Sequence, residues 1–73
     1  MTERGRGTIK WFNPEKRYGF IRRIDGLSDV FVHMSDFRSQ ADAYWVREGV
    51  AVEFEVVQAS KGPRAVDVVV HAQ

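Results

Sequence analysis

The stretch KWFNPEKRYGFIRR, residues 10–23, sets four aromatic side chains (Trp11, Phe12, Tyr18, Phe20) among five cations (Lys10, Lys16, Arg17, Arg22, Arg23). Rings are ordinarily buried and charges left in water, so a mixture of the two asks for a ligand that needs both. A single-stranded nucleic acid is such a ligand. Its unpaired bases lie on rings, at roughly 1–3 kcal/mol per base as judged by alanine substitution. Its phosphates are drawn to the cations by a salt-dependent attraction that ignores sequence. A duplex cannot use the same platform, because its bases already stack on one another. The stretch DVFVHM, residues 29–34, adds Phe31 and His33 to the candidates. Enzyme chemistry is much thinner. There is no Gly-rich phosphate loop, and His33 and Ser35 share one face of a strand end with no acid beside them.

The elements that must position these residues are short strands separated by turn signals, the pattern of a sandwich or small barrel. Strands are expected at about residues 6–13, 18–24, 29–34, 50–57 and 65–71. Asn13-Pro14 supplies the first turn, Asp25-Gly26 a hairpin, and Gly62-Pro63 interrupts the last connection. One long connection runs from Ser35 to Gly49, with Ser35 placed to cap a short helical turn through Phe37. The expectation is an all-β fold with five antiparallel strands and little helix.

Side chains alternate across a strand, so parity sorts them into two faces. Ile9, Ile21, Val30, Val32, Val52, Phe54, Val56, Val66 and Val68 make one aliphatic set able to fill a barrel. Tyr18, Phe20 and Arg22 then point outward from the second strand, and Asp29, Phe31 and His33 from the third. The reverse assignment would bury Arg22, Asp29 and His33 without partners, which is costly. Parity leaves Trp11 open. It matches Ile9, so either Trp11 is core or a bulge near Lys10–Trp11 turns it outward. Met34 is ambiguous in the same way.

Composition narrows the class further. Seventy-three residues make one domain. The absence of cysteine excludes disulfides and thiolate chemistry, and the two distant histidines make no metal site, so no cofactor is expected. MTERGRG is polar, reads as a frayed lead-in, and no stretch reaches transmembrane length, which together suggest a cytoplasmic chain with no membrane partner. The net charge of +1 conceals a division: residues 1–23 carry +5 and residues 24–73 carry −4. Such asymmetry points to a polyanionic partner.

GTIKWFNPEKRYGFI and DVFVHMS resemble the paired ribonucleoprotein motifs of the cold-shock domain, and KGPRAVDV resembles that family's closing strand. The likeness covers about residues 5–70 of a single domain, 1–73, and its length is similar to that of bacterial cold-shock proteins. It implies a five-stranded Greek-key barrel of the OB-fold kind. It also implies a monomer that binds single-stranded RNA and DNA, as an RNA chaperone or a regulator of transcription or translation in the cold-shock response. The family's contact surface falls on Lys10, Trp11, Phe12, Asn13, Tyr18, Phe20, Phe31 and His33, which favours the bulge, with Lys61 near the bound strand. Lys16 and Arg22 add charge.

Three departures stand out. Arg17 replaces a glycine, and carries strain if the position needs φ > 0 or adds a phosphate contact if it does not. Met34 replaces a residue that is often aromatic, and its thioether is expected to contact a base more weakly. In the long loop Tyr44 and Trp45 compete for one aromatic position, with Tyr44 preferred and Val46 as the aliphatic anchor. The competing function is a small protein-binding barrel whose aromatic groove takes a peptide. A cage for cations calls for acids nearby, whereas this face carries cations.

Overall fold

A computed structural model describes residues 4–71. The outer part of the expected frayed lead-in, residues 1–3, lies outside the described residues, and the chain has entered its first strand by Gly5. The strands are β1 (Gly5–Asn13), β2 (Tyr18–Arg23), β3 (Val30–His33), β4 (Ala51–Ala59) and β5 (Gly62–His71). They close into a barrel in the order β1-β2-β3-β5-β4. The β1–β2, β2–β3, β1–β4 and β4–β5 pairings are antiparallel, as expected. Closure falls to one parallel pair, Phe31 with Arg64.

The core follows strand parity closely. Ile9, Ile21, Val30, Val32, Val52, Phe54 and Val68 are buried to within 1%, each worth about 1.5–3 kcal/mol relative to exposure. Val56 packs half-buried against them. Val66 is a correction: it stays half-exposed, and Ala65 takes the inward place. The cause is an irregularity in β5. Glu55 faces Val66 and Glu53 faces Val69, so β5 spends an extra residue there, and Asp67 adopts φ 51°. Inward positions on β5 are therefore three apart, not two.

A second bulge governs the outer face. Ile9 pairs with Ile21, but Trp11 pairs with Phe20, so Lys10 is the extra residue. The bulge sends Ile9 inward and Trp11 outward. Gly19 makes the close approach possible, since a Cβ there would clash with the Trp11 carbonyl oxygen.

The long connection is folded into two 3-10 turns, Met34–Asp36 and Gln40–Tyr44. They add Met34, Phe37 and Ala43 to the core, together with Val46, the expected aliphatic anchor. The first turn is capped by the His33 side chain, with Ser35 inside the turn and not at its cap.

Away from the aromatic rings, Arg4 reaches Glu53 (3.5 Å), Glu55 (3.2 Å) and Asp67 (3.1 Å). Arg38 holds both Asp67 oxygens, at 3.0 and 2.8 Å. The Arg38 hydrogen bonds, followed by the charges of Arg38 and Arg4, hold the Asp67 carboxyl below its usual range.

Two outcomes are expected. Gly19→Ala should lower unfolding stability by about 1–3 kcal/mol in urea titration, because the strand contact has no room for a methyl group. Asp67, being depressed, contributes stability above its ordinary value of 3.8 that is lost as pH falls through the folded value. The thermal midpoint should therefore decline on acidification below about pH 4. Arg38→Ala should flatten that part of the profile, and an acid limb identical in the two proteins would refute the assignment.

Candidate nucleic-acid interface

β1, β2 and β3 lie side by side, and their outward residues meet as one aromatic surface. Trp11 touches Tyr18 and Phe20, with ring centroids at 5.3 and 5.5 Å. Phe31 lies 5.7 Å from Tyr18, nearly parallel at 24°, and 5.9 Å from Phe20, edge-on at 79°. His33 stands opposite Tyr18 in the β2–β3 register. Edge contacts and one stacked pair hold the rings against one another, with Tyr18, Phe20 and Phe31 half-buried and Trp11 40% exposed. Contiguous apolar surface of this kind on a small domain marks a contact site.

Each expected site residue has a definite place. Phe12 is half-buried, edge-on to Phe37 at 5.4 Å, and supports the surface from beneath. Asn13 serves the turn: its Oδ1 accepts the amides of Glu15 (2.9 Å) and Lys16 (3.2 Å). The Nδ1 of His33 accepts the Ser35 amide at 3.1 Å, which leaves the ring proton on Nε2 facing away from the cap. The Ser35 hydroxyl, 2.9 Å from the same nitrogen, belongs to that cap. Met34 is a correction, since it is 8% exposed, packs in the core and offers no surface to a base. Tyr44 (69%) and Trp45 (41%) are both exposed. Trp45 Nε1 donates to Asp42 at 2.9 Å. Neither ring joins the described contacts among Trp11, Tyr18, Phe20 and Phe31.

The cations divide into two kinds. Lys10 is engaged, with its Nζ 2.8 Å from Asp29. Lys16, Arg17, Arg22 and Lys61 are exposed and form no ion pair among the described residues. Arg17 sits at φ 67°, donating its amide to Asn13 (2.7 Å) and accepting that of Met34 (2.8 Å). Two backbone hydrogen bonds thus hold a non-glycine residue in the left-handed region.

Beside the rings a cleft of about 400 Å³ is bounded by Phe20, Asp29, Phe31, Lys61, Pro63 and Arg64. Asp29 and Arg64 were not among the expected contacts. Asp29 was findable, because it shares parity with Phe31 and His33. Arg64 was not, because β5 starts at Gly62, earlier than the Gly-Pro signal suggested.

The barrel, with its outward rings on three adjoining strands, is that of a small OB-fold protein. The chain belongs to the cold-shock domain family: the profile described as the 'Cold-shock' DNA-binding domain matches residues 5–71. It is similar to cold shock-like protein CspJ of Salmonella typhimurium, 51% identical over 69 residues that cover 94% of this chain and 97% of that one. Cold shock protein CspA of Staphylococcus aureus is 53% identical over 64 residues, covering 86% of this chain and 92% of its own. In fold it resembles Drosophila Unr CSD456, with a TM-score of 0.79 at 21% identity, over 97% of this chain and 28% of that one.

Relief of the left-handed conformation is worth about 1–2 kcal/mol, and a glycine gives back about 0.4–1 kcal/mol through unfolded-state entropy. Arg17→Gly should therefore raise stability by about 0.5–1 kcal/mol in urea titration. A loss of stability would mean that the Arg17 side chain has packing value beyond its backbone strain.

Proposed function

We propose that this protein binds single-stranded RNA and DNA by stacking bases on Trp11, Tyr18, Phe20, Phe31 and His33 while Lys16, Arg17, Arg22 and Lys61 follow the phosphates. The observation that carries the reading is the continuous run of outward rings across three strands, flanked by cations that have no carboxylate partner among the described residues. Membership of a nucleic-acid-binding family supports it. Base stacking supplies affinity without much edge reading, so sequence preference is mild and paired RNA is disfavoured. A protein with those properties traps unpaired segments as they open. The fitting cellular role is a monomeric cytoplasmic RNA chaperone, or a regulator of transcription or translation acting through RNA structure.

Lys10 has a mixed part. Its ion pair with Asp29 must be shared or exchanged when a phosphate arrives, so it adds less to the salt dependence than a free lysine. Tyr44, exposed and apart from the described ring contacts, would extend the footprint along the strand.

The test is tryptophan fluorescence of a Trp45→Phe variant, in which Trp11 reports alone, titrated with oligothymidine. Quenching should saturate, and log K should fall with log salt at roughly −3 for four phosphate contacts. Trp11→Ala, followed by an independent binding readout, should weaken binding by about fivefold or more. Equal binding to a matched duplex, or no binding at low salt by the folded protein, would sink the reading and leave the surface to a peptide.

A further inference from the structure

Across the strands, Trp11 is registered with Phe20, Phe20 with Phe31, and Phe31 with Arg64. Registered partners project to the same side of a sheet. Arg64 therefore stands next in line after three rings, on β5, and lines the cleft together with Phe20 and Phe31.

Its guanidinium is held in a fixed orientation. Nε donates to Asp36 Oδ2 at 2.9 Å and Nη2 to Asp36 Oδ1 at 3.0 Å, the paired geometry that locks both planes. Asp36 is buried, and its Oδ2 also accepts the His33 amide at 3.0 Å, so the carboxylate cannot swing away. The Arg64 side chain nonetheless keeps 38% of its surface exposed. The result is a flat group with one edge spent and its remaining surface on the cleft.

Charge separates this arginine from the others at the site. Its partner carboxylate neutralises it locally, so it contributes little to counterion release. A guanidinium plane still stacks on aromatic and base surfaces when paired along its edge. Lysine, a compact point charge on a flexible stem, cannot replace it in that role.

We propose that Arg64, clamped by Asp36, is a stacking plane for one further base, continuing the Trp11–Phe20–Phe31 row onto β5. The assignment rests on the single-strand reading above and adds a binding position contributed by a guanidinium.

Arg64→Lys keeps the charge and a contact with Asp36 but removes the plane. Its affinity for a graded series of oligothymidines, read by Trp11 quenching in the Trp45→Phe background at two salt concentrations, tests the proposal. Long oligomers should bind about fivefold or more weakly than to the parent. The shortest oligomers should bind equally, so that affinity stops rising about one nucleotide earlier, and the salt slope should not change. If the lysine variant unfolds early, Arg64→Gln keeps a hydrogen bond to Asp36 with a smaller plane and should give part of the same loss. Equal affinity at every length would overturn the proposal, reducing the Asp36–Arg64 pair to a structural tie. A slope flatter by about one phosphate contact would overturn it too, assigning the guanidinium to the backbone. Failure of the parent to bind any oligomer would instead remove the underlying single-strand reading.

Discussion

The outer face of this barrel depends on one extra residue in its first strand. Lys10 has no partner of its own in β2, and by occupying that place it lets Ile9 face the core and Trp11 face solvent within a single strand. Without the bulge, regular alternation would drive the indole into a barrel already filled by Ile21, Val30, Val32 and Phe54, while the ring contacts of Trp11 with Tyr18 and Phe20 would be lost. Gly19 permits this arrangement by having no side chain where the β1 backbone at Trp11 and Phe12 passes close to β2. A glycine registered with Phe12, just beyond the bulge, thus shapes the aromatic face without contributing a side chain to it.

Much of this was legible in the sequence because a filled aliphatic barrel leaves its alternate residues only one direction. Tyr18, Phe20, Phe31 and His33 were placed outside by the same parity that placed Ile21, Val30 and Val32 inside. Trp11 was resolved only through resemblance to a family, since alternation cannot see an inserted residue. The same blindness explains Val66 and Ala65: the irregularity at Asp67 inverted the parity of half of β5. Met34 and the connection after it failed for a different reason. Residues that alternate in no period, such as Phe37 and Ala43, were folded under the barrel around short 3-10 turns whose signals are weak, and only Val46 stood out there as an anchor.

Arg17 and Asp36 show how local backbone and surface chemistry are joined here. A turn that favours glycine carries an arginine, exposed beside the rings, and two backbone hydrogen bonds hold it there. A buried carboxylate, expensive to desolvate on its own, is satisfied by the His33 amide and the Arg64 fork at once. In both places an unfavourable local choice coincides with a charged group at the edge of the aromatic surface. Strain and buried polarity gather at contact surfaces in this manner.

The barrel's thinnest seam has a consequence of its own. β3 and β5 are joined by one registered pair, Phe31 with Arg64, whereas β2 and β3 share four. A cylinder opens where it is least riveted, and this one is least riveted beneath its cleft. On the proposed single-strand reading, a strand lying over Phe31 and Arg64 would bridge the seam from outside as a clasp does. Affinity for the closed form over the open one would then draw the barrel shut, and holding a ligand and keeping the fold closed would be, at this one place, a single act.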